Sequence, residues 1–111
     1  MMELSDFLFK ADKLAVAVNR IYYGMYYAVT ALALRYNFGT SKHAQLLGWF
    51  NKEFVAKGLV AKELGKSLRN AFQNRTKGDY DAYVTFEKEE VKQMYEDLKE
   101  FVGAIENMLL K

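Results

Sequence analysis

The chain has one histidine, His43, and no cysteine. Histidine is the side-chain type that exchanges protons near neutral pH, so acid–base chemistry near pH 7 would have to use this ring. The lack of cysteine excludes a thiolate zinc site, a disulfide framework and a cysteine nucleophile. One histidine cannot build a multi-histidine zinc or di-iron centre within a chain, and no Glu-x-x-His pair is present. Neither a phosphate loop nor a dinucleotide fingerprint occurs. Ser41 stands two residues from His43 without the elbow motif of a serine nucleophile. The expectation is a protein that needs no metal and no cofactor.

Binding chemistry has more candidates. Asn19 and Arg20 interrupt an apolar run, where an unpaired amide or guanidinium is costly, so both require partners. Tyr23 and Tyr27 follow Asn19 one and two turns later and extend it into a polar seam. That seam reads either as a structural staple or as a ligand contact. Tyr22, Tyr23, Tyr26 and Tyr27 could serve as stacking platforms for nucleic-acid bases, but packing is the favoured reading, because a buried helix needs bulky side chains with a polar tip. Arg75 continues the apolar stripe of its helix three residues beyond Phe72. It is expected at the core's edge, paired with Asp79 or Asp81 or holding a phosphate in its fork of donors. Arg69 falls on the opposite, solvated face. From Lys42 to Lys77 the chain carries 8 basic and 2 acidic residues. Lys42, Lys62, Lys66, Arg69, Arg75 and Lys77 would let that stretch attract an anionic polymer.

Five helices are expected to position these residues. A short one over about 3–10 precedes a long one over about 13–36, with Asp12 at its cap. The long helix is apolar nearly all round, with Leu14, Val18, Ile21, Tyr22, Met25, Val29 and Leu32 as its main stripe, so it should be central. Gly39 is suited to close it in a left-handed cap. The third helix covers about 42–57 with Ser41 as cap, Leu47, Phe50 and Phe54 as stripe, and Gly58 as its end. The fourth covers about 61–77 and stops at Gly78. The last starts near Phe86, capped by Thr85, and buries Val91, Met94, Tyr95, Leu98, Phe101, Val102, Ile105, Met108 and Leu109. Short connections favour antiparallel neighbours, so the fold class is all-α, an up-down antiparallel bundle in one domain over 1–111.

Composition agrees. With 111 residues, 51% hydrophobic, 27% charged, no proline and 7 glycines, the chain is a globular helical one. Its length allows one modest core, burying roughly 65% of the unfolded surface. Residues 1–78 carry 12 basic and 5 acidic side chains, and residues 79–111 carry 4 and 9. Such polarity serves an anionic ligand or the mutual attraction of the two halves. Arg20 in the apolar stretch argues against a membrane span. No secretory signal is apparent, and a cytoplasmic location is expected.

The segment Asn19-Arg20-x-Tyr22-Tyr23-x-x-Tyr26 is followed by Ser41-Lys42-His43, Phe50-x-x-x-Phe54, Lys62-Glu63-Leu64-Gly65 and Arg75-x-x-x-Asp79-Tyr80. Together these resemble the HEPN (higher eukaryote and prokaryote nucleotide-binding) family, in particular a small single-domain prokaryotic branch. The resemblance covers the chain from about Ala11 onward and implies an up-down helical bundle. It also implies a homodimer, and often pairing with a minimal nucleotidyltransferase in a toxin–antitoxin arrangement. Many family members are metal-independent ribonucleases with an arginine, four to six residues, then a histidine. Here Arg69-Asn70 provides that opening, but Arg75 stands where histidine would. Guanidinium does not release its proton near neutral pH and cannot act as the base.

The resulting expectation is a nucleotide- or RNA-binding protein using Asn19, Arg20, Tyr23, Lys42, His43, Arg69, Arg75, Asp79 and Tyr80. The alternatives are a divergent ribonuclease with His43, Arg20 and Arg75 as catalytic candidates, and a dimerisation module without catalysis. Convergence of Arg20, His43 and Arg75 in an open cleft would favour the enzyme.

Overall fold

The computed structural model describes the backbone of residues 4–80 and 86–110 and the side chains of residues 13–76 and 86–110. Four α-helices form the bundle: α1 over Leu4–Arg35, α2 over His43–Phe50, α3 over Lys62–Tyr80 and α4 over Lys88–Leu109. A π-helical turn, Asn51–Val55, continues α2. The all-α up-down bundle expected from the sequence is present. Rings fix the directions: Tyr22 meets His43 and Tyr36 meets Phe54, so α2 runs alongside α1 in the same sense. α3 is the antiparallel member: Ala71 shares a recess with Met25, Phe72 lies beside Tyr22, and Asn74 and Arg75 share a cleft with Asn19, so α3 advances as α1 goes back. α4 returns parallel to α1 and brings Leu98 against Gly24.

Several boundaries differ from expectation. The first two expected helices are one, because no glycine or proline separates Lys10 from Lys13 and Asp12 alone does not end a helix. Asn37, not Gly39, takes the left-handed position after α1, at φ 59°. The Phe38 amide then donates to the Ala33 carbonyl at 2.8 Å, closing a Schellman-type end. Phe38 is held there by stacking on Trp49, 5.0 Å between centroids. Ser41 does not cap α2. Lys42 occupies the cap position without a side-chain bond, while the Thr40 hydroxyl accepts the Lys42 amide hydrogen. Gly58 does end its helix as expected, at φ 77°. α3 runs through Gly78 to Tyr80, since one glycine weakens a helix without breaking it. The expected cap Thr85 lies outside the described residues, and Glu87 stands at the cap of α4.

The core follows the sequence stripes. Val18, Ile21, Tyr22, Met25, Val29 and Leu32 of α1 are buried against Leu46, Phe50, Phe54, Leu68, Ala71, Phe101 and Ile105. α1 is nevertheless not sealed all round: Tyr27 is 64% and Leu34 70% exposed, and Ala31 faces outward with them. Tyr95, expected inside, is 51% exposed. The π turn adds one residue per turn after Phe50, keeps Phe54 stacked on it at 5.8 Å, and lets both rings stay buried.

α3 approaches the π turn closely at Gly65. A β-carbon there would lie 3.0 and 3.2 Å from the Val55 methyls and 3.3 Å from Asn51 Oδ1. The branched Val55 side chain has little freedom to yield. Gly103 on α4 has nothing within 4 Å of such a position. We expect Gly65→Ala to destabilise by ~1–3 kcal/mol despite alanine's better helix propensity. Gly103→Ala should stabilise by up to ~1 kcal/mol, since propensity acts there unopposed. Paired thermal melts check this, and a Gly65→Ala protein melting at or above the parent would contradict the close approach.

Candidate functional site

Four tyrosines on two turns of α1 cannot all face one way. Tyr22 points inward and is fully buried, Tyr23 and Tyr26 lie at the rim, and Tyr27 faces out. The start of α2 places His43 over this rim. The His43 ring stacks on Tyr26 with centroids 4.2 Å apart and planes 20° from parallel. Its Nδ1 lies 2.8 Å from the Tyr22 hydroxyl. A buried phenol must place its proton on an acceptor. Nδ1 is the acceptor available to Tyr22 among the described residues, so we assign the hydroxyl as donor. Neutral His43 then carries its own proton on Nε2, which has no protein partner among the described residues. In that state Nε2 offers a hydrogen bond and has no lone pair to take a proton.

Arg75 reaches the same cluster from α3. Its guanidinium donates to the Tyr23 hydroxyl at 3.1 Å. The guanidinium carbon lies 5.4 Å from the Tyr23 ring centroid and 5.8 Å from that of Tyr22. A cation over two aromatic rings gains roughly 0.5–2 kcal/mol per contact according to its desolvation. Burial pushes the Tyr22 phenol up to about 12, and the Arg75 charge works against that rise. The expected partners Asp79 and Asp81 lie outside the described side chains. Asp79 and Tyr80 stand on the last turn of α3.

Arg75 also lines a cleft of about 340 Å³ with Asn19, Arg20, Asn74 and Phe86. Two arginines and two asparagines of α1 and α3 therefore line one cleft, and no carboxylate lines it among the described residues. The Asn19–Tyr23–Tyr27 seam is divided by function: Asn19 faces the cleft, Tyr23 takes the arginine, and Tyr27 is exposed. Arg20 and Arg75 share the cleft, while His43 joins through Tyr22 on the other side of Arg75. His43 does not line that cleft. Lys42 is exposed beside His43. Arg69 is exposed six residues before Arg75, about 240° around the helix, and does not line the cleft. The sequence favours packing over base stacking for Tyr22 and Tyr26, and neither reading includes the contact with His43. The available signal was the pairing of a lone histidine with a helix rich in hydroxyl-bearing rings.

A model of the HEPN domain matches residues 1–108. The chain is 45% identical over 102 residues to a UPF0332 protein of Thermotoga maritima, spanning 92% of this chain and 77% of that one. It is 36% identical over 91 residues to a Methanocaldococcus jannaschii protein described as "Putative toxin", spanning 82% of this chain and 62% of the relative. A UPF0332 protein of Gloeobacter violaceus is 32% identical over 65 residues. No solved structure gives a significant match. No described helix is long and apolar enough to cross a membrane.

The raised Tyr22 pKa has a consequence for stability. Below pH 10 the phenol is neutral in folded and unfolded chains alike, and its full contribution is present. Between pH 10 and about 12 the unfolded chain ionises while the folded one holds its proton, so stability falls as pH rises. Tyr22→Phe should remove this fall from the alkaline stability curve. It should also cost about 1 kcal/mol at pH 7 by leaving Nδ1 without its donor. Denaturant unfolding from neutral to alkaline pH checks both, and identical curves for parent and variant would contradict the buried bond.

Proposed function

From the chain's membership of the HEPN family, we propose that it is a nucleotide- or RNA-binding protein working beside a nucleotidyltransferase partner in a toxin–antitoxin-like pair. The observation that carries this reading is the convergence of Arg20 and Arg75 with Asn19 and Asn74 in one cleft. Guanidinium forks suit phosphate oxygens, amides suit base edges, and Phe86 supplies an apolar wall. His43 lies outside that cleft and, with the Tyr22 hydroxyl as donor to Nδ1, carries a donating Nε2. A donor helps to hold a phosphate, whereas ribonuclease chemistry needs a base, and this supports binding over cleavage. The description of the methanogen relative supports the toxin-like setting.

A homodimer belongs to the same reading. Val16, Tyr23, Tyr27 and Leu34 recur at steps of seven, four and seven residues, one seam along α1, and Val16, Tyr27 and Leu34 are well exposed. Light scattering at micromolar concentration should report two chains, and a monomer would remove this part of the proposal.

The binding test uses a labelled single-stranded RNA and a salt series. Affinity should fall steeply with salt, and Arg20→Ala and Arg75→Ala should each weaken binding roughly tenfold and flatten the salt slope by about 1. Arg69→Ala should change it little. With chelator present the RNA should remain intact. Robust cleavage lost in His43→Ala would replace this reading with the ribonuclease.

A further inference from the structure

The acidic end of the chain conceals a basic stripe. Residues 79–111 hold 4 lysines against 9 acidic residues, so their net charge predicts an acidic surface. The structure sorts them otherwise. Lys88, Lys92, Tyr95 and Lys99 fall at steps of four, three and four residues, which is one face of α4. Lys88, Lys92 and Tyr95 line a groove of about 450 Å³ between α4 and α1, and Arg20 closes it from α1. Its floor is Leu14, Ala17, Ile21, Val91 and Leu98. Lys99 sits beyond the groove with Nζ 4.9 Å from the centroid of the half-exposed Tyr95 ring and 3.4 Å from Glu96 Oε1, so the rim charges without an ion pair among the described residues are those of Arg20, Lys88 and Lys92. No acidic residue lines the groove among the described residues.

An apolar floor with a cationic rim has a definite complement. A nucleic acid would use the rim and leave the floor wet, so the floor favours an apolar occupant. The two parallel helices make a trough into which a third helix can lay apolar anchors. We propose that this α1–α4 groove docks an amphipathic helix of a partner protein, apolar on one face and acidic along that face's edges. Charge complementarity to Arg20, Lys88 and Lys92 selects acidic flanks and rejects basic ones.

The groove also touches the cleft on the other side of α1. Arg20 lines both. A carboxylate of the docked helix that engages Arg20 withdraws one of the two guanidinium groups from the cleft. Docking therefore weakens anion binding in the cleft, and this coupling, unlike the docking itself, rests on the nucleotide- or RNA-binding reading.

The test uses a synthetic helical peptide with leucines at i, i+4 and i+7 flanked by glutamates, and a twin with lysines in place of the glutamates. Fluorescence anisotropy should show the glutamate peptide binding at least roughly tenfold tighter than its twin. Lys88→Glu with Lys92→Glu, both exposed positions, should reverse that preference while circular dichroism shows an unchanged fold. Tyr95→Ala should weaken the glutamate peptide. Saturating glutamate peptide should lower the affinity of the labelled RNA in the parent. Equal binding of both peptides, binding of neither, or a preference that the lysine changes leave in place would overturn the docking proposal. Self-association of the parent abolished by those same changes would give the groove to a second copy and overturn it as well. Undiminished RNA binding with peptide bound would overturn the coupling. A chain that never binds RNA would refute the function proposed for the cleft and, with it, the coupling, and the peptide preference would still decide the groove.

Discussion

The buried Tyr22 hydroxyl needs a partner, and the site is arranged around that requirement. An unsatisfied phenol in the core would cost on the order of 1–3 kcal/mol. The fold meets the need by returning the chain after α1, so that α2 begins with His43 against Tyr22. The same ring packs on Phe72 and lies beneath Arg75, which ties α3 to the junction. One side chain thus couples three helices. It also sets which imidazole nitrogen is left without a protein partner among the described residues.

Arg75 and Arg20 each belong to two surroundings at once. Arg75 is anchored by Tyr23 and two aromatic faces, and it still lines the cleft. Its planar fork can serve both sides, where a lysine's point charge could not. Arg20 lies between two recesses, one of mixed lining with asparagine and arginine and one almost wholly apolar. A helix in the middle of a bundle can present such a residue to both sides because its flanking helices cover only part of its circumference.

Much of this was legible in the sequence. The stripe from Val18 to Leu32 was readable because apolar side chains at helical spacing have one economical burial. Asn19, Arg20 and Arg75 stood out because polar groups among apolar neighbours must be explained by a partner. The unity of α1 was missed because Asp12 resembles a cap, yet a cap requires a chain that already bends. Asn37 was overlooked in favour of Gly39 because the turn is fixed by Phe38 stacking on Trp49, a contact between distant residues. The roles of Tyr22 and Tyr26 depend on a histidine 21 and 17 positions away, beyond any local pattern. The lysine stripe of α4 was hidden by net charge, which adds up opposite faces of one helix.

The proton on the His43 ring offers the most direct test. Nitrogen-15 spectra of imidazole-labelled protein, taken where His43 is neutral, distinguish an accepting nitrogen from a protonated one. The buried Tyr22 bond predicts an accepting Nδ1 and a protonated Nε2, with that tautomer lost in Tyr22→Phe. A protonated Nδ1 in the parent would contradict it, because the Tyr22 hydroxyl would then accept and Nε2 would be free to act as a base.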